Sequence, residues 1–544
     1  MKTLSVEEML KQEQAAILSG ISVDQLLQNA GQNLAKVIER RFSSGPKSIV
    51  ALVGRGNNGG DALVALSHLT EHGWKARALI MTERSDVSLV HQAVSAGVEI
   101  LEVKNVADPR EMADLLDGHS ILLDALLGTG FSGSVRPELA ALMRLVYQAL
   151  PWLPRRPFIV AVDCPSGVNC STGQADPEVL PADLTICMAA CKQGLLLQPA
   201  FSFVGELASA GIGIEILNGA AGLLEVVEAE DVKAVLPERS WNAHKGTAGR
   251  LVVCGGSVEY VGAPVLSGLG AYAVGAGLVR MVVPSIVQTS AATMLPEAIW
   301  TLMPTTDGVM AESGTELLMH AIKGNKALVF GPGMGQLPAS QKLVRSFFTR
   351  LAAGAEHHSR PLGFGRADPY NEQVDSGSSH NVPPIVVDAD GLRSLTALPQ
   401  WWCTLPPGSV ITPHPGEMAA LTGRSVADVQ SDRLETARNG ASNWGCIVVL
   451  KGAQTVVAEP GGRAAIIPIS APALAKAGTG DVLAGVIGAL LAQGVDSFSA
   501  AWAGAWLHAR AGLALQVRHG NNRSPMASEL PWGLRRVLSD LVHH

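Results

Sequence analysis

Two segments of this chain bring oxygen-bearing side chains to glycine turns. In the first, Gly54, Gly56 and Gly59 match the dinucleotide fingerprint G-x-G-x-x-G. Glycines let a backbone approach a pyrophosphate, and the amides that open a following helix favour an anion. By itself the match fits an unliganded strand-to-helix turn as well. Asn57, Asn58, Gly59, Gly60 and Asp61 add carboxamide and carboxylate oxygens, which suit a hard cation. Asp124 closes an apolar run just before a second glycine loop, Gly128-Thr129-Gly130-Phe131-Ser132-Gly133-Ser134, and Asp163 and Ser166 follow a third run, Phe158 to Val162. The other segment, Ala477-Gly478-Thr479-Gly480-Asp481, runs into an apolar helix whose first amides would form an anion hole. Asp481 would then accept the proton of a hydroxyl attacking a phosphoryl group. No G-x-x-x-x-G-K-[ST] occurs, which excludes a P-loop as the phosphate site.

Loops of this kind need strands to hold them. Ser22-Val23-Asp24-Gln25 reads as a capping box, and Leu26, Ala30, Leu34, Val37 and Ile38 then recur at helical spacing up to Ser43-Ser44-Gly45-Pro46. Ile49 to Val53 reads as a buried strand. Apolar runs near 76–81, 121–123 and 158–162 alternate with helical segments near 60–72, 85–96 and 137–149. This alternation predicts a doubly wound α/β domain, at whose carboxyl edge the three loops would meet. We expect this domain over 1–215, a linker over 216–230 and a second α/β domain over 231–544 that opens its first strand at Arg250 to Val253. Glycine loops at 255–262, 331–335 and 478–480 mark that second domain, and the polar stretch 356–384 reads as a mobile insertion.

Composition narrows the function classes. At 544 residues the chain exceeds one ordinary domain, and 47% hydrophobic against 16% charged residues is globular. A net charge of −7 with no Lys/Arg run gives no footprint for nucleic acid or an anionic membrane, so small-molecule ligands fit better. Apolar stretches are broken short of the ~18–20 residues of a membrane span, and the first residues lack the apolar run of a secretory signal. A cytoplasmic protein is therefore expected, its seven scattered cysteines reduced and without a zinc pattern.

The first half resembles the epimerase domain of the NAD(P)HX repair enzymes, a Rossmann-like fold, through LLQNAG (26–31), NNGGD (57–61), DALLGTG (124–130), DCPSG (163–167) and CKQGLL (191–196). The resemblance implies that Asn58, Asp124 and Ser166 help to hold a potassium ion, and that Asn57 to Asp61, Gly128 to Ser134 and Asp163 contact the hydrated nucleotide. Ala62 stands where the family commonly has Gly, and Cys164 where Ile or Val is usual. Interconverting R and S hydrates breaks and remakes a carbon–oxygen bond, which calls for a proton donor and acceptor. Asp163 is the first candidate. Lys192 is either its electrostatic partner or a solvated surface charge.

The second half is similar to the ribokinase-like NAD(P)HX dehydratases that use ADP or ATP. The motifs are AHKGTAGRLVVCGGS (243–257), GAPVLS (262–267), GPGMG (331–335), VVDADGL (386–392), TPHPGEMAAL (412–421), KGAQT (451–455) and AGTGDVLAG (477–485). Carried over, Ala263, Gly333, His414 and Asp481 contact the S hydrate. Lys451, Gly452, Ala453, Gln454, Thr455 and Gly480 contact the adenine nucleotide, with magnesium on its phosphates. Lys476 stands where the family usually has Asn. His414, between Pro413 and Pro415, either faces a cleft or serves only its stiff loop. The implied reaction phosphorylates the ring hydroxyl and then expels phosphate, regenerating NADH or NADPH. Nothing local decides the donor, and the expectation leans to ADP. A homo-oligomer is expected. AGTGD alone equally permits a vitamin or sugar kinase, and the first half alone a nucleotide-sensing module without turnover.

Overall fold

The computed structural model describes residues 1–543 apart from 44, 82–83, 85–86, 104–105, 218–223 and 357–381. It divides into two compact units, Met1–Val226 and Val227–His544.

In the first unit, strands β1 (Thr3–Leu4), β2 (Ser48–Val53), β3 (Lys75–Ile80), β4 (Glu99–Glu102), β5 (Ile121–Ala125), β6 (Phe158–Val162), β7 (Leu184–Met188), β8 (Cys191–Lys192) and β9 (Glu206–Ala210) alternate with helices. Seven of them form one sheet in the order β4-β3-β2-β5-β6-β7-β9. Every ladder in it is parallel. The chain winds outward from β2 in one direction and from β5 in the other. The loops after β2 and β5 therefore flank the point where winding reverses, the place where open α/β sheets bind ligands.

Strand periodicity explains the two covered faces. Ile49, Ala51 and Val53 pack with Leu34, Ile38, Leu63 and Leu66, while Val50 and Leu52 point the other way against Met143 and Val146. Helix α1 (Val6–Leu18) opens on a complete capping box between Ser5 and Glu8. At α2 (Val23–Arg41) the expected box is half made: Ser22 Oγ accepts from Gln25 N at 3.1 Å, but the Gln25 amide turns to Asn29. A third helix, α3 (Asn57–Glu71), begins inside the glycine loop. The stretch expected as a linker carries a short strand, β10 (Leu224–Val226), and Glu228 caps a helix over Ala229–Val235. Leu224 and Val226 are buried with Glu225 between them, a period-two signal too short to stand out among acidic and small residues. Part of the expected linker, 218–223, and most of the expected insertion, 357–381, lie outside the described residues.

The second unit is also α/β. Its main strands are β11 (Arg250–Cys254), β12 (Leu278–Pro284) and β13 (Ile299–Met303), then β16 (Ala327–Phe330), β17 (Ile385–Val387), β18 (Val410–Ile411), β19 (Ile447–Leu450), β20 (Val456–Ala458) and β21 (Ala464–Ile466). A small hairpin, β14 (Thr305–Thr306) and β15 (Val309–Met310), stands apart. The sheet order is β21-β20-β19-β18-β17-β16-β11-β12-β13. It is parallel from β13 to β19, and β20 and β21 continue it antiparallel.

The helix Thr479–Ala492, nearly all buried, packs tightly on the helix Gly262–Ala273. A Cβ on Gly485 would stand 1.9 Å from the Ser267 carbonyl oxygen. Backbone cannot move aside as a side-chain tip can, so Gly485→Ala is expected to destabilise this unit by about 3 kcal/mol or more. Calorimetric melting checks it, and an unchanged transition would mean the helices are not this close.

All seven cysteines are free thiols, and only Cys403 is exposed. Among the described residues no helix is long and apolar enough to cross a membrane.

Candidate active sites

In the first unit the loops after β2, β5 and β6 converge. Asn58 Nδ2, on the first turn of α3, donates to the carbonyls of Leu127 at 2.8 Å and Val162 at 2.7 Å, tying all three loops together. Asp124, at the end of β5, accepts from Ser166 N at 2.9 Å and Ser166 Oγ at 2.5 Å. Leu127 N in turn donates to Ser166 Oγ at 2.9 Å. Asp124 is 2% exposed, and among the described residues no Lys or Arg pairs with it. Burial pushes its carboxyl upward, only partly offset by the Ser166 and Leu126 hydrogen bonds. Gly128 fits against the Asn58 side chain, since a Cβ there would lie 3.1 Å from its Cγ. Thr129 is half-buried, while Gly130 and Ser132 to Ser134 are exposed and Phe131 partly covered.

Asp163 leaves β6 in the left-handed region at φ 64°, a strained conformation for a residue with a Cβ. Its Oδ1 accepts from Met188 N at 2.8 Å and pairs with Lys192 Nζ, which also donates to the Met188 carbonyl at 2.8 Å. Lys192 is 1% exposed. It is no surface charge. Burial pulls its ammonium down most, but the charge and hydrogen bond of Asp163 together with the neighbouring Cys187 and Cys170 turn the net shift upward. The parallel bridge from β1 to β8, with Leu4 opposite Lys192, anchors the start of α1 here. Asp61 and Glu13 lie within electrostatic reach of the pair. Burial, reinforced by the Asp163 charge, holds Asp61 well above the usual carboxylate range, and burial raises Glu13 in the same direction.

In the second unit a cavity of about 650 Å³ is lined by the expected residues His414, Lys451, Gly452, Ala453, Thr455, Gly480 and Asp481. Asp388, Glu417, Lys476 and His508 line it too. Lys451 Nζ pairs with Asp388 Oδ1 at 2.7 Å and reaches Glu417 at 3.8 Å. Thr412 Oγ1 donates to the same Asp388 oxygen at 2.7 Å. Gly478, at φ +87°, turns the chain into the helix that carries Asp481 on its first turn. Behind it His508 Nε2 lies 2.8 Å from the Thr479 carbonyl oxygen and holds the turn. Burial, with the Asp388 charge, raises the Asp481 carboxyl to about 8, and burial raises Glu417 to about 7.

His414 both caps a helix and faces the cavity: its Nδ1 accepts from Gly416 N at 2.9 Å and Glu417 N at 3.2 Å, and Glu417 returns the bond to His414 N. Ala263 and Gly333 pack on each other outside the cavity lining, with a Gly333 Cβ only 2.9 Å from that of Ala263. Gln454 is buried behind the loop rather than lining it. Asp388 lies within VVDADGL and Glu417 within TPHPGEMAAL, two site residues that the motifs alone do not single out. Their partner Lys451 is 63 residues from Asp388, so no local spacing signals the pairing.

Residues 23–194 match the family described as YjeF-related protein N-terminus, and residues 251–353 and 362–530 match that described as NAD(P)H-hydrate dehydratase. The bifunctional NAD(P)H-hydrate repair enzyme Nnr of Moorella thermoacetica is 32% identical over 528 residues, 95% of this chain and 92% of that one. The chain belongs to the bifunctional NAD(P)H-hydrate repair enzymes. Another member of this repair family, Nnr of Escherichia coli, is 32% identical over 540 residues, 98% of this chain and 92% of its own. Among solved structures, the ADP/ATP-dependent NAD(P)H-hydrate dehydratase of Bacillus subtilis, co-crystallised with ATP/Mg2+, is 29% identical, with a TM-score of 0.46 over 58% of this chain and 98% of that one.

For this repair-family member the raised Asp481 carboxyl has a measurable signature. The folded chain keeps a proton on Asp481 up to about pH 8 that the unfolded chain releases near pH ~4. Stability from this group is thus full below about pH 4 and falls as pH rises to about 8. Asp481→Asn should flatten that part of the melting-temperature profile and leave the variant more stable than wild type above about pH 8. A profile unchanged by the substitution would show that Asp481 does not titrate in this way.

Proposed function

We propose that residues 1–215 interconvert the R and S hydrates of NADH and NADPH, and that residues 231–544 return the S hydrate to NADH or NADPH at the expense of ADP or ATP. The observation that carries this reading is Asp481. A half-buried carboxyl sits on the first turn of a helix, in a cavity that also holds the Lys451 ammonium.

The nucleotide phosphates would lie on the amides of the 478–481 turn and beside Lys451, where the helix dipole and the ammonium attract them. Asp481, deprotonated, takes the proton of the ring hydroxyl as its oxygen bonds to the terminal phosphorus of the donor, whose bond to the bridging oxygen breaks and releases AMP or ADP. Phosphate then departs from the ring carbon with its bonding pair, a ring proton is lost, and conjugation returns. His414, Ala263 and Gly333 are proposed substrate contacts, and Lys451 to Thr455 with Gly480 the nucleotide contacts. Magnesium fits as a passenger of the phosphates. Asp388 and Glu417 offer carboxylates to it, whereas among the described residues no group of three His, Cys, Asp or Glu could hold a metal unaided. It would supply neutralising charge to the transferring group.

In the first unit, Asn57 to Asp61, Gly128 to Ser134 and Asp163 are the proposed contacts to the hydrated nucleotide, with Lys192 fixing the Asp163 carboxylate. Asp163 is the proposed proton acceptor and donor at the carbon–oxygen bond that breaks and re-forms, and Asp61, whose carboxyl burial raises, lies within electrostatic reach of it. Asn58, Asp124 and Ser166 fit a potassium ion, because the buried Asp124 carboxylate has oxygen neighbours and, among the described residues, no cationic partner. Bound there, the ion supplies one fixed positive charge at the meeting of the three loops.

Assembly as a cytoplasmic homo-oligomer belongs to the same proposal and is tested by light scattering. The donor is tested by running dehydration of purified S hydrate with ADP and with ATP in parallel. NADH formation with either supports the reading. A stable phosphorylated hydrate without NADH would replace it by a kinase.

A further inference from the structure

Arg433 opens the helix Arg433–Trp444, immediately after its N-cap Asp432. A cation is disfavoured at that end of a helix by the macrodipole. The side chain is part-buried, its Nε is enclosed without a partner, and among the described residues no carboxylate pairs with it. Burial accordingly pulls its guanidinium down to about 10. Three unfavourable features meet on one residue, and residues that break local rules in this way are commonly compensated by a role at a site.

The compensation is visible in what the guanidinium holds. Its NH2 group donates to the carbonyls of Leu450 at 2.9 Å, Lys451 at 3.2 Å and Gln454 at 3.2 Å, and NH1 donates to Gln430 at 2.7 Å. The loop it grips is strained at Gln454, which holds a Cβ at φ 57°, and glycine at 452 permits the φ of +150° there. Gly452 lies so close that a Cβ on it would be 2.9 Å from the guanidinium nitrogen. On its other side this loop lines the cavity with Lys451, Gly452, Ala453 and Thr455. Lys451 is thereby fixed from both ends. Its carbonyl is held by Arg433, its amide by the Pro413 carbonyl at 2.9 Å, and its ammonium by Asp388.

We propose that Arg433 is a positioning residue for the adenine nucleotide: from behind the cavity it clasps the 450–454 backbone in its strained form and so preorganises the loop that receives the phosphate donor. This rests on the dehydratase reading of the second unit. Lysine in its place could offer one ammonium to these carbonyls but has no second nitrogen, fixed in the same plane, to hold Gln430 at the same time.

The test is steady-state kinetics and equilibrium nucleotide binding on the full chain, with wild type, Arg433→Lys and Arg433→Ala. Loss of preorganisation should raise the KM for ADP or ATP and weaken nucleotide binding by about tenfold or more in Arg433→Ala, with Arg433→Lys in between. The KM for the S hydrate and the rate of epimerisation should stay as in wild type, as a general loss of folding would not allow. Unchanged nucleotide KM and binding in both variants would overturn the inference, as would equal losses toward both substrates. Wild-type chain without dehydration under either donor would instead overturn the dehydratase reading, while the binding comparison would still judge Arg433.

Discussion

Asp481→Asn is expected to lower nucleotide-dependent dehydration by about 10³-fold or more, the range for removing a general base, while epimerisation proceeds as before. The carboxyl is half-buried within electrostatic reach of Asp388 and Lys451, and its raised value makes the ionised form a stronger base than an ordinary aspartate. Asparagine keeps the shape and cannot take the proton. Because the buried charge is also removed, the variant should fold at least as well as wild type at alkaline pH, so lost activity cannot be charged to unfolding. Following NADH appearance from purified S hydrate checks the first half, and chromatographic R-to-S conversion the second. Retained NADH formation would reject the base assignment.

Asp163→Asn carries the second large effect. Epimerisation should fall by about 10²-fold to 10⁴-fold with dehydration of the S form intact. Here the stability argument runs the other way. Lys192 is enclosed and its charge is balanced by Asp163, so removing the carboxylate leaves an ammonium buried without its partner, at about 3–5 kcal/mol. The double variant Asp163→Asn with Lys192→Met removes both charges and should recover most of that stability without recovering epimerisation. Chemical denaturation and the chromatographic assay separate the two outcomes. Unchanged epimerisation in the single variant would remove Asp163 from its role, and recovery of turnover in the double variant would reduce the pair to a structural one.

In the first unit β2, β3, β5 and β6 were legible because strong apolar runs there are punctuated by glycine turns, whereas the short β4, Glu at both ends, and the helix Pro109–Leu116 were not. Apolar Ile121 to Leu123 and Phe158 to Val162 coincide with β5 and β6. Beyond Val162 the signal thins: β7 and β9 follow loops rich in Cys, Pro and Ala, and β10 is only three residues long. The glycine loops were legible for the same reason, since Gly478 and Gly333 occupy left-handed conformations that glycine adopts without strain. Electrostatic partnerships were not. Lys192 could be read as a surface charge or as a partner of Asp163, and its burial comes with the pairing of β8 beside β1, which no local pattern signals. Asp388 and Glu417 acquire meaning from Lys451 on a distant strand end. Arg433 carries no motif at all, and its importance comes from three carbonyls on a loop that folds back to meet it.

Two activities in one chain make a joint demand, because a dehydratase confined to one epimer leaves the other to accumulate. Mixed R and S hydrate of NADH, supplied with ADP or ATP and potassium and magnesium salts, puts that demand to the whole protein at once. Absorbance of regenerated NADH should rise until the entire pool is consumed. An Asp163→Asn chain should stop quickly at the S share and continue only at the uncatalysed rate of epimerisation. No NADH from wild type with either donor, or a wild-type reaction that halts at the S share, would contradict the account.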